Sequence, residues 1–554
     1  MPIHRRGFLL GTAAAAAAQL LPKRAWAAAA PSPVRFEIAP ASALDFHLRS
    51  GATGRMYQPE TLVGGLGVID YDGDGWPDIY CVNGADMPQL QKADESYWNR
   101  LYKNNRDGTF TDVTEKAGVA GHGYGIGVAV GDYNNDGHED MLVLGVYGNQ
   151  LFRNNGDGTF TDVTEAAGLK TPPERKLWSI AAAWIDYDGD GYLDLFISNY
   201  CEWVAGQDPV CGAMTPEGRR YCHPDKYKSQ SMQLYHNNGD GTFTDVTGKA
   251  PLAAVLGKGM GIAMADFAGD GRPGLFVAND NARNLLFRNT GRGFEETGID
   301  AGVAYNGDGR SISGMGADFG DLTGRGRYDI VMSALKNESF GIFLNRGKGE
   351  FEDGSVQTGL MNMTHAVSGW GCGLVDFDND GWLDFFVAGG GVDVNDGMTN
   401  KLYRNLGNGK FADATAESGL GAGVARLHRG CVFADFDHDG RIDMAVTSMD
   451  GPIELWWNRS PQQHWLQLRL TGTRSNRSAI GAEVTCKTAV RTQMHCVTSS
   501  VGYASSSDLT VHFGLGSERK ATVEIRWPSG AVQKLGEVTS DQKLEVTEPH
   551  PATS

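Results

Sequence analysis

Asp70-Tyr71-Asp72-Gly73-Asp74-Gly75-Trp76-Pro77-Asp78 sets carboxylates at the first, third, fifth and ninth positions of a loop, with Gly75 at its sharp turn. Hard cations such as calcium take about 6–8 oxygen ligands, which carboxylates and a backbone carbonyl supply at this spacing. The pattern recurs at Asp186/Asp188/Asp190/Asp194, Asp376/Asp378/Asp380/Asp384 and Asp435/Asp437/Asp439/Asp443, and Asp132/Asn134/Asp136/Asp140 differs by one neutral oxygen. One such turn would be an ordinary solvated turn; five in one register are specific, and about five calcium sites are expected. An EF-hand would need Glu at the twelfth position between two helices. That residue is missing, and the flanks read as strands.

Each loop precedes a second signature. Leu-Phe-Arg-Asn-Asn-Gly-Asp-Gly-Thr-Phe-Thr-Asp-Val-Thr begins at Leu151, near copies begin at Leu101 and Leu234, and weaker ones at Leu286, Ile342, Leu402 and Leu455. The seven loops open at Asp70, Asp132, Asp186, Asp266, Asp321, Asp376 and Asp435, with spacings of 62, 54, 80, 55, 55 and 59 residues. Such a period suits a four-stranded propeller blade better than a helical solenoid. In the second unit, apolar runs at 127–131 and 141–146 flank the loop, and Asn155-Gly156-Asp157-Gly158 supplies the positive φ angles of a tight hairpin. Val34 to Ile38 resembles the last strand of a unit, whereas the seventh unit lacks that strand after Leu455-Trp456-Trp457-Asn458. The N-terminal strand is therefore expected to complete the last blade and remove the exposed edges. Two loops depart from the pattern: the fourth has Ala268 and Gly274 at ligand positions, the fifth Thr323 and Arg325. Both are expected to be metal-free, Arg325 standing in for a cation.

After Asn458 the repeat ends, and His464 to Leu470 and Thr522 to Trp527 alternate as half-buried strands do. The loops resemble the FG-GAP or VCBS repeat of calcium-bound propellers. Ile480-Gly481-Ala482, Gly502-Tyr503, His512-Phe513-Gly514-Leu515-Gly516 and Ile525 to Gly530 resemble the ASPIC/UnbV domain that follows such propellers in the cartilage acidic protein family. The resemblance spans about residues 34 to 547. It implies an all-β chain: a seven-bladed calcium-binding propeller at 34–460, a small all-β domain at 464–548, and a place outside the cytoplasm.

Residues 1–27 read as an address. His4-Arg5-Arg6-Gly7-Phe8-Leu9-Leu10, an Ala-rich stretch and Ala25-Trp26-Ala27 resemble a twin-arginine export signal with a cleavage site, and the apolar run is short of a membrane span. No later segment is apolar enough to cross a bilayer, so a periplasmic or secreted protein is expected. The 554 residues carry a net charge of -18, and loss of the leader with its four basic residues leaves about -22. That excludes a nucleic-acid binder, which needs basic faces to displace counterions. Five bound calcium ions would offset much of it. Of eight cysteines, Cys211 and Cys222 bracket the insertion behind the 80-residue spacing and are expected to pair. Cys486 and Cys496 flank a hairpin and are a second candidate pair, while Cys372 and Cys431 read as buried free thiols in inner strands.

No catalytic signature stands out: Gly-x-Ser-x-Gly, His-Glu-x-x-His and phosphate-binding glycine loops are all missing. Five residues before each loop stand Gly65, Gly127, Ala181, Gly261, Gly316, Gly371 and Gly430, as crowding around a propeller axis demands. Just upstream, basic and aromatic residues gather, among them Lys258, Arg310, His365, Trp370, Arg426, His428 and Arg429. The expectation is a binding module whose axial mouth, centred on Arg426, His428 and Arg429, takes a protein, glycan or small anion. The alternative is a carbohydrate-active lyase or dehydratase on acidic sugars, with a mouth His as base and an Arg as charge stabiliser.

Overall fold

The computed structural model describes residues 33–550 apart from 41–42, 173, 214–217, 250 and 394. The leader read at residues 1–27 lies outside the described residues. Among those residues no helix is long and apolar enough to cross a membrane.

Seven four-stranded antiparallel sheets form the blades of a propeller. In the second blade Tyr124–Gly131, Asp140–Val146, Gln150–Asn154 and Phe160–Asp162 meander outward, and the first two strands are buried along their whole length. The Asp-rich loop always joins the innermost strand to the second. Inner strands of neighbouring blades pack side by side around the ring, Leu66–Ile69 of the first blade meeting both Tyr124–Gly131 and His428–Ala434 of the seventh. The last blade takes its outer strand from the N-terminus: Phe36–Ile38 pairs antiparallel with Glu454–Asn458, Phe36 opposite Asn458.

In six of the seven blades an asparagine ties the ring together. At the end of the third strand, Asn154 Nδ2 donates to the carbonyl of Tyr71 in the preceding blade at 2.9 Å. Asn104 to Phe436, Asn237 to Tyr133, Asn345 to Phe267, Asn405 to Leu322 and Asn458 to Phe377 repeat the bond at 2.8–3.0 Å. Each accepting carbonyl belongs to the second residue of an Asp-rich loop, so these loops form the joints between blades as well as the turns within them.

The C-terminal domain is a pair of sheets. Val511–Gly516, His464–Thr471 and Gln542–Thr547 form one, and Thr492–Cys496, Glu483–Lys487, Lys520–Arg526 and Val532–Thr539 the other. Leu466, Val484, Phe513 and Ile525 fill the space between them. Glu548 closes the domain by accepting the amides of Thr473, Arg474 and Ser475 at 2.8–2.9 Å. Burial pushes the Glu548 carboxyl up, but these bonds outweigh it and hold the group down to about 2.

From this domain Ser499–Ser507 runs into the axis of the propeller. The Ala504 carbonyl accepts from the Val128 amide at 3.1 Å, Ser506 exchanges backbone bonds with Leu66 and Val68 at 2.8 Å, and the Gly502 amide donates to Ala317 at 2.9 Å. Ser500 Oγ reaches the Ala182 carbonyl at 3.0 Å. Tyr503, fully buried, crosses to the far end of the channel and donates to the carbonyl of Leu62. The ring of small residues at Gly65 to Gly430 is thereby explained. A Cβ on Gly65 would lie 2.3 Å from the Ala504 carbonyl, and one on Gly261 2.6 Å from that of Gly502.

Cys211 and Cys222 are disulfide-bonded, with Cα atoms 5.3 Å apart, and close the insertion of the third blade. Cys486 and Cys496 are not paired. On their two antiparallel strands Cys486 stands opposite Gln493 and Cys496 opposite Glu483, out of register for a bridge. Cys372 and Cys431 are buried free thiols.

Candidate metal centres

The first Asp of each loop orders the backbone. Asp70 accepts the amides of Asp74 and Gly75 at 2.9 Å, and Asp132, Asp186, Asp376 and Asp435 repeat the pair. Asp266 and Asp321 do the same, which is why the two degenerate loops keep this residue. The ninth position joins strands: Asp78 takes the Asn104 amide at 2.7 Å and the Tyr71 amide at 3.2 Å. Asp140, Asp194, Asp384 and Asp443 likewise take the amide of their third-strand Asn at 2.7–2.8 Å.

Carboxylate oxygens then converge. Asp70/Asp72/Asp78, Asp186/Asp188/Asp190, Asp376/Asp378/Asp380 and Asp435/Asp437/Asp443 each bring three oxygens within 4.8 Å of one another. In the second loop Asp132, Asp136 and Asp140 keep the same backbone pattern, but Asn134 Nδ2 donates to Asp136 at 2.8 Å. Its carboxylates form no such triplet among the described residues.

Burial first, and neighbouring carboxylates second, raise most of these acids. The Asp78 carboxyl is pushed up to about 8 and that of Asp194 to about 9, and those of Asp140, Asp376, Asp384 and Asp443 rise well above the usual range. Asp378 Oδ1, Asp384 Oδ2 and Asp437 Oδ1 are buried and accept no hydrogen bond. Unmatched buried oxygens are costly; a divalent cation in the sixth loop would satisfy those of Asp378 and Asp384, and one in the seventh that of Asp437. The donor set, all oxygen in four of the five loops, suits a hard cation.

Basic side chains from the third strand lean over the loops. Lys103 Nζ lies 3.0 Å from Asp74 and also pairs with Asp72, and Arg404 lies 2.8 Å from both Asp378 and Asp380. Arg459, just past the third strand of the seventh blade, reaches Asp437 at 3.0 Å. Burial pushes the Asp74 carboxyl up, but hydrogen bonds from Arg106 and Lys103 bring it below its usual range. In the third blade this register holds His236, whose Nδ1 lies 3.3 Å from Asp188 and 3.2 Å from Asp194, and whose ring nitrogen joins those two acids in a ligand-like group.

The degenerate loops contain fixed cations. In the fifth, Arg325 reaches Asp329 at 3.1 Å and Thr323 at 2.5 Å. In the fourth, the cation comes from the C-terminal domain, Arg526 lying 2.6 Å from Asp266 and pairing also with Glu483. Sequence reasoning missed Arg526, because nothing in its own neighbourhood marks a partner so far away in the chain.

The residues read as an axial mouth do not form one site. Arg429 is fully buried: its guanidinium stacks on Trp370, 3.8 Å from the ring centroid, and donates to the Thr61 and His428 carbonyls. Burial brings it down to about 10. Trp370 packs edge-on against Tyr503 with centroids 5.2 Å apart, so these two mouth residues grip the inserted segment. His428 is also buried; its Nδ1 meets the Gly389 carbonyl at 2.8 Å, and Nε2 lies 3.3 Å from Glu454, which Arg426 approaches at 3.4 Å. Lys258 is enclosed and donates to the carbonyl of Pro224, two residues past the disulfide, at 2.8 Å. Only Arg310 and His365 of this set stand fully exposed. The axial placement of this segment went unread because eight uncharged, mostly small residues around one tyrosine look like a linker.

These features define a class, a ring of acid-looped blades whose axis is filled by a C-terminal two-sheet domain. The FG-GAP-like repeat family matches residues 70–143, 132–197, 227–277, 321–387 and 376–446, and the ASPIC and UnbV family matches 472–553. The chain belongs to the FG-GAP-like repeat family and carries a C-terminal ASPIC and UnbV domain. It is similar to cartilage acidic protein 1 of Homo sapiens, 26% identical over 85% of this chain and 70% of that one. Cartilage acidic protein 1 of Xenopus tropicalis is 24% identical over 89% of this chain and 74% of its own. A solved structure of an Agrocybe aegerita lectin that recognises non-reducing terminal N-acetylglucosamine aligns with 71% of this chain and 87% of its own, at 20% identity and a TM-score of 0.38.

Proposed function

We propose that this protein is an exported calcium-binding propeller that acts as a binding module outside the cytoplasm. The observation that carries the reading is the set of buried carboxylate oxygens without hydrogen-bond donors at Asp378, Asp384 and Asp437, each in a loop of the repeated acidic register. Asp70, Asp72, Asp74 and Asp78, with their counterparts in the second, third, sixth and seventh loops, would hold the ion, which neutralises acids that burial otherwise keeps protonated. Export is supported by the twin-arginine-like leader and by the Cys211–Cys222 bridge, a bond typical of oxidising compartments.

For the partner, the fifth blade and its connections to the fourth and sixth form a cleft of about 320 Å³ lined by Asn306, Asp308, Asn337, Glu338, Asp353 and His365. Amides and carboxylates of this kind hydrogen-bond neutral hydroxyls, so a glycan or a polar protein loop suits it better than a small anion. No observation favours the lyase or dehydratase reading: His428 and Arg429, at the centre of the expected mouth, are buried and spent on packing.

The test is metal analysis with a melt. Purified protein should hold about five calcium ions per chain, and removing them with EDTA should lower the melting temperature markedly. At calcium 100 times above a site's dissociation constant, each independent site contributes about 2.7 kcal/mol. An unchanged melt after verified metal loss would defeat the reading.

A further inference from the structure

The C-terminal domain sits on the metal loops, and its tip runs into the axis beyond them. Gln467 Nε2 donates to Asp435 Oδ2 at 3.0 Å, Gln463 Nε2 to the Asp378 carbonyl at 2.6 Å, and Arg491 to the Asp380 carbonyl at 3.1 Å. His512 Nε2 meets Asn379 Oδ1 at 2.6 Å, and the Gly516 amide donates to the Asn379 carbonyl at 2.8 Å. Asn379 and its equivalent Asn135 hold the left-handed backbone at the fourth loop position, with φ of 55° and 59°. Asn135 accepts the Arg477 amide at 2.7 Å, and Ser478 Oγ accepts that of Asp132 at 3.0 Å. The contacts thus use loop backbone and loop carboxylates, the atoms whose positions a bound ion fixes.

The seat is also incompletely packed. A cavity of about 140 Å³ lies in the seam, lined by Asp376 and Asp435 on the propeller side and by Thr498, Ser507 and His512 on the other. The sixth and seventh loops that border it are the two with unmatched buried oxygens. Beyond the seam, Ser499–Ser507 is held by only one or two backbone bonds to each inner strand it meets, with the Ser507 and Asp508 bonds to Phe433 long at 3.3 and 3.4 Å.

We propose that metal in the second, sixth and seventh loops controls how firmly the C-terminal domain is seated and its segment Ser499–Ser507 held in the axial channel. This rests on the calcium reading. A cation that fixes Asn379, Asp380 and Asp435 favours the seated domain. Its loss leaves converging carboxylates free to spread and displaces the atoms on which the domain rests, and by linkage a seated domain tightens the metal sites in return.

Hydrogen exchange on the full-length protein, with calcium and after EDTA, tests this at amides that report the channel. The Gly502 and Ser506 amides, bonded to Ala317 and Leu66, should exchange at least tenfold faster without metal, while second-strand amides such as Leu195 and Leu275 change less. Asp380→Asn with Asp439→Asn should give the same selective loss at saturating calcium, with the other loops still loaded. If calcium binds and raises the melting temperature but channel amides keep equal protection, or all amides accelerate together, the inference is overturned while the calcium reading stands. If no calcium binds, the calcium reading itself has failed.

Discussion

Arg404 shows at one residue how these loops balance two cations. Its guanidinium lies 2.8 Å from Asp378 and Asp380, where a metal would draw on the same carboxylates. Arg404→Met should therefore tighten metal binding at the sixth loop about tenfold and lower the stability of the metal-free protein, since hydrogen bonds to charged groups contribute about 1.5–3 kcal/mol. Terbium luminescence or calorimetric titration reads the first effect; an unchanged affinity would show that the arginine does not compete. Asp318 makes a second case, away from the metal. It stands in a register that other inner strands fill with Gly67, Ala129, Ala183, Ala263, Gly373 and Val432, and its carboxylate accepts the Phe319 and Leu374 amides at 2.7 and 2.8 Å. Burial pushes it up to about 7. Because the folded value lies above the unfolded one, its contribution is present in full below about pH 4 and is lost as the pH rises through about 7. In saturating calcium, Asp318→Asn should gain stability relative to the parent between pH 4 and 7.5 by about 1–4 kcal/mol. A difference that does not vary with pH would assign the shift elsewhere.

Strands and loops obey simple repeats, and what the repeat carried was readable. A period-two strand and an Asp at every second loop position leave a trace each time, so seven imperfect copies define the blades even where one has lost its ligands. Arg325 was legible because it occupies a ligand position in its own loop, whereas Arg526 acts on Asp266 from another domain and has no register to betray it. The small residues at Gly65 to Gly430 signalled a crowded axis, but not that part of the crowding is the chain's own Gly502-Tyr503-Ala504. The charged and aromatic residues beside that ring were legible as exceptions; their burial under an insertion and behind Tyr503 was not. Gly502 and Gly536 separate clash from backbone strain. Both have φ of 72°, but a Cβ on Gly502 would meet the Cys372 carbonyl at 2.5 Å, and one on Gly536 would meet nothing within 4 Å. Gly502→Ala should cost about 1–3 kcal/mol more than Gly536→Ala, the usual penalty for overpacking. Equal melting temperatures for the two variants would mean that the channel is loose enough to absorb a methyl group.

At the scale of the whole molecule, the ring is closed without a covalent bond. The last blade has three strands from residues 428–458 and takes its fourth from Phe36–Ile38, more than 400 residues away in sequence. Val34 and Phe36 are buried, Phe36 stacks edge-on with Phe377 at 5.1 Å, and the Arg459 amide donates to Arg35 at 2.7 Å. Burying the two apolar side chains contributes about 3–6 kcal/mol, to which the strand ladder adds. Everything else that spans the ring, the asparagine ties and the segment in the axis, holds blades to one another but does not pair Glu454–Asn458. Deleting residues 33–39 should therefore leave seven recognisable blades around the axis, with one edge of backbone donors and acceptors open to other chains. The expected outcome is a melting temperature lower by several degrees, together with concentration-dependent oligomers in light scattering. A synthetic peptide spanning residues 33–46, added in excess, should reverse both effects by reoccupying the edge. A deleted protein that stays monomeric and melts with the parent would show that the axial segment and the metal joints alone close the ring.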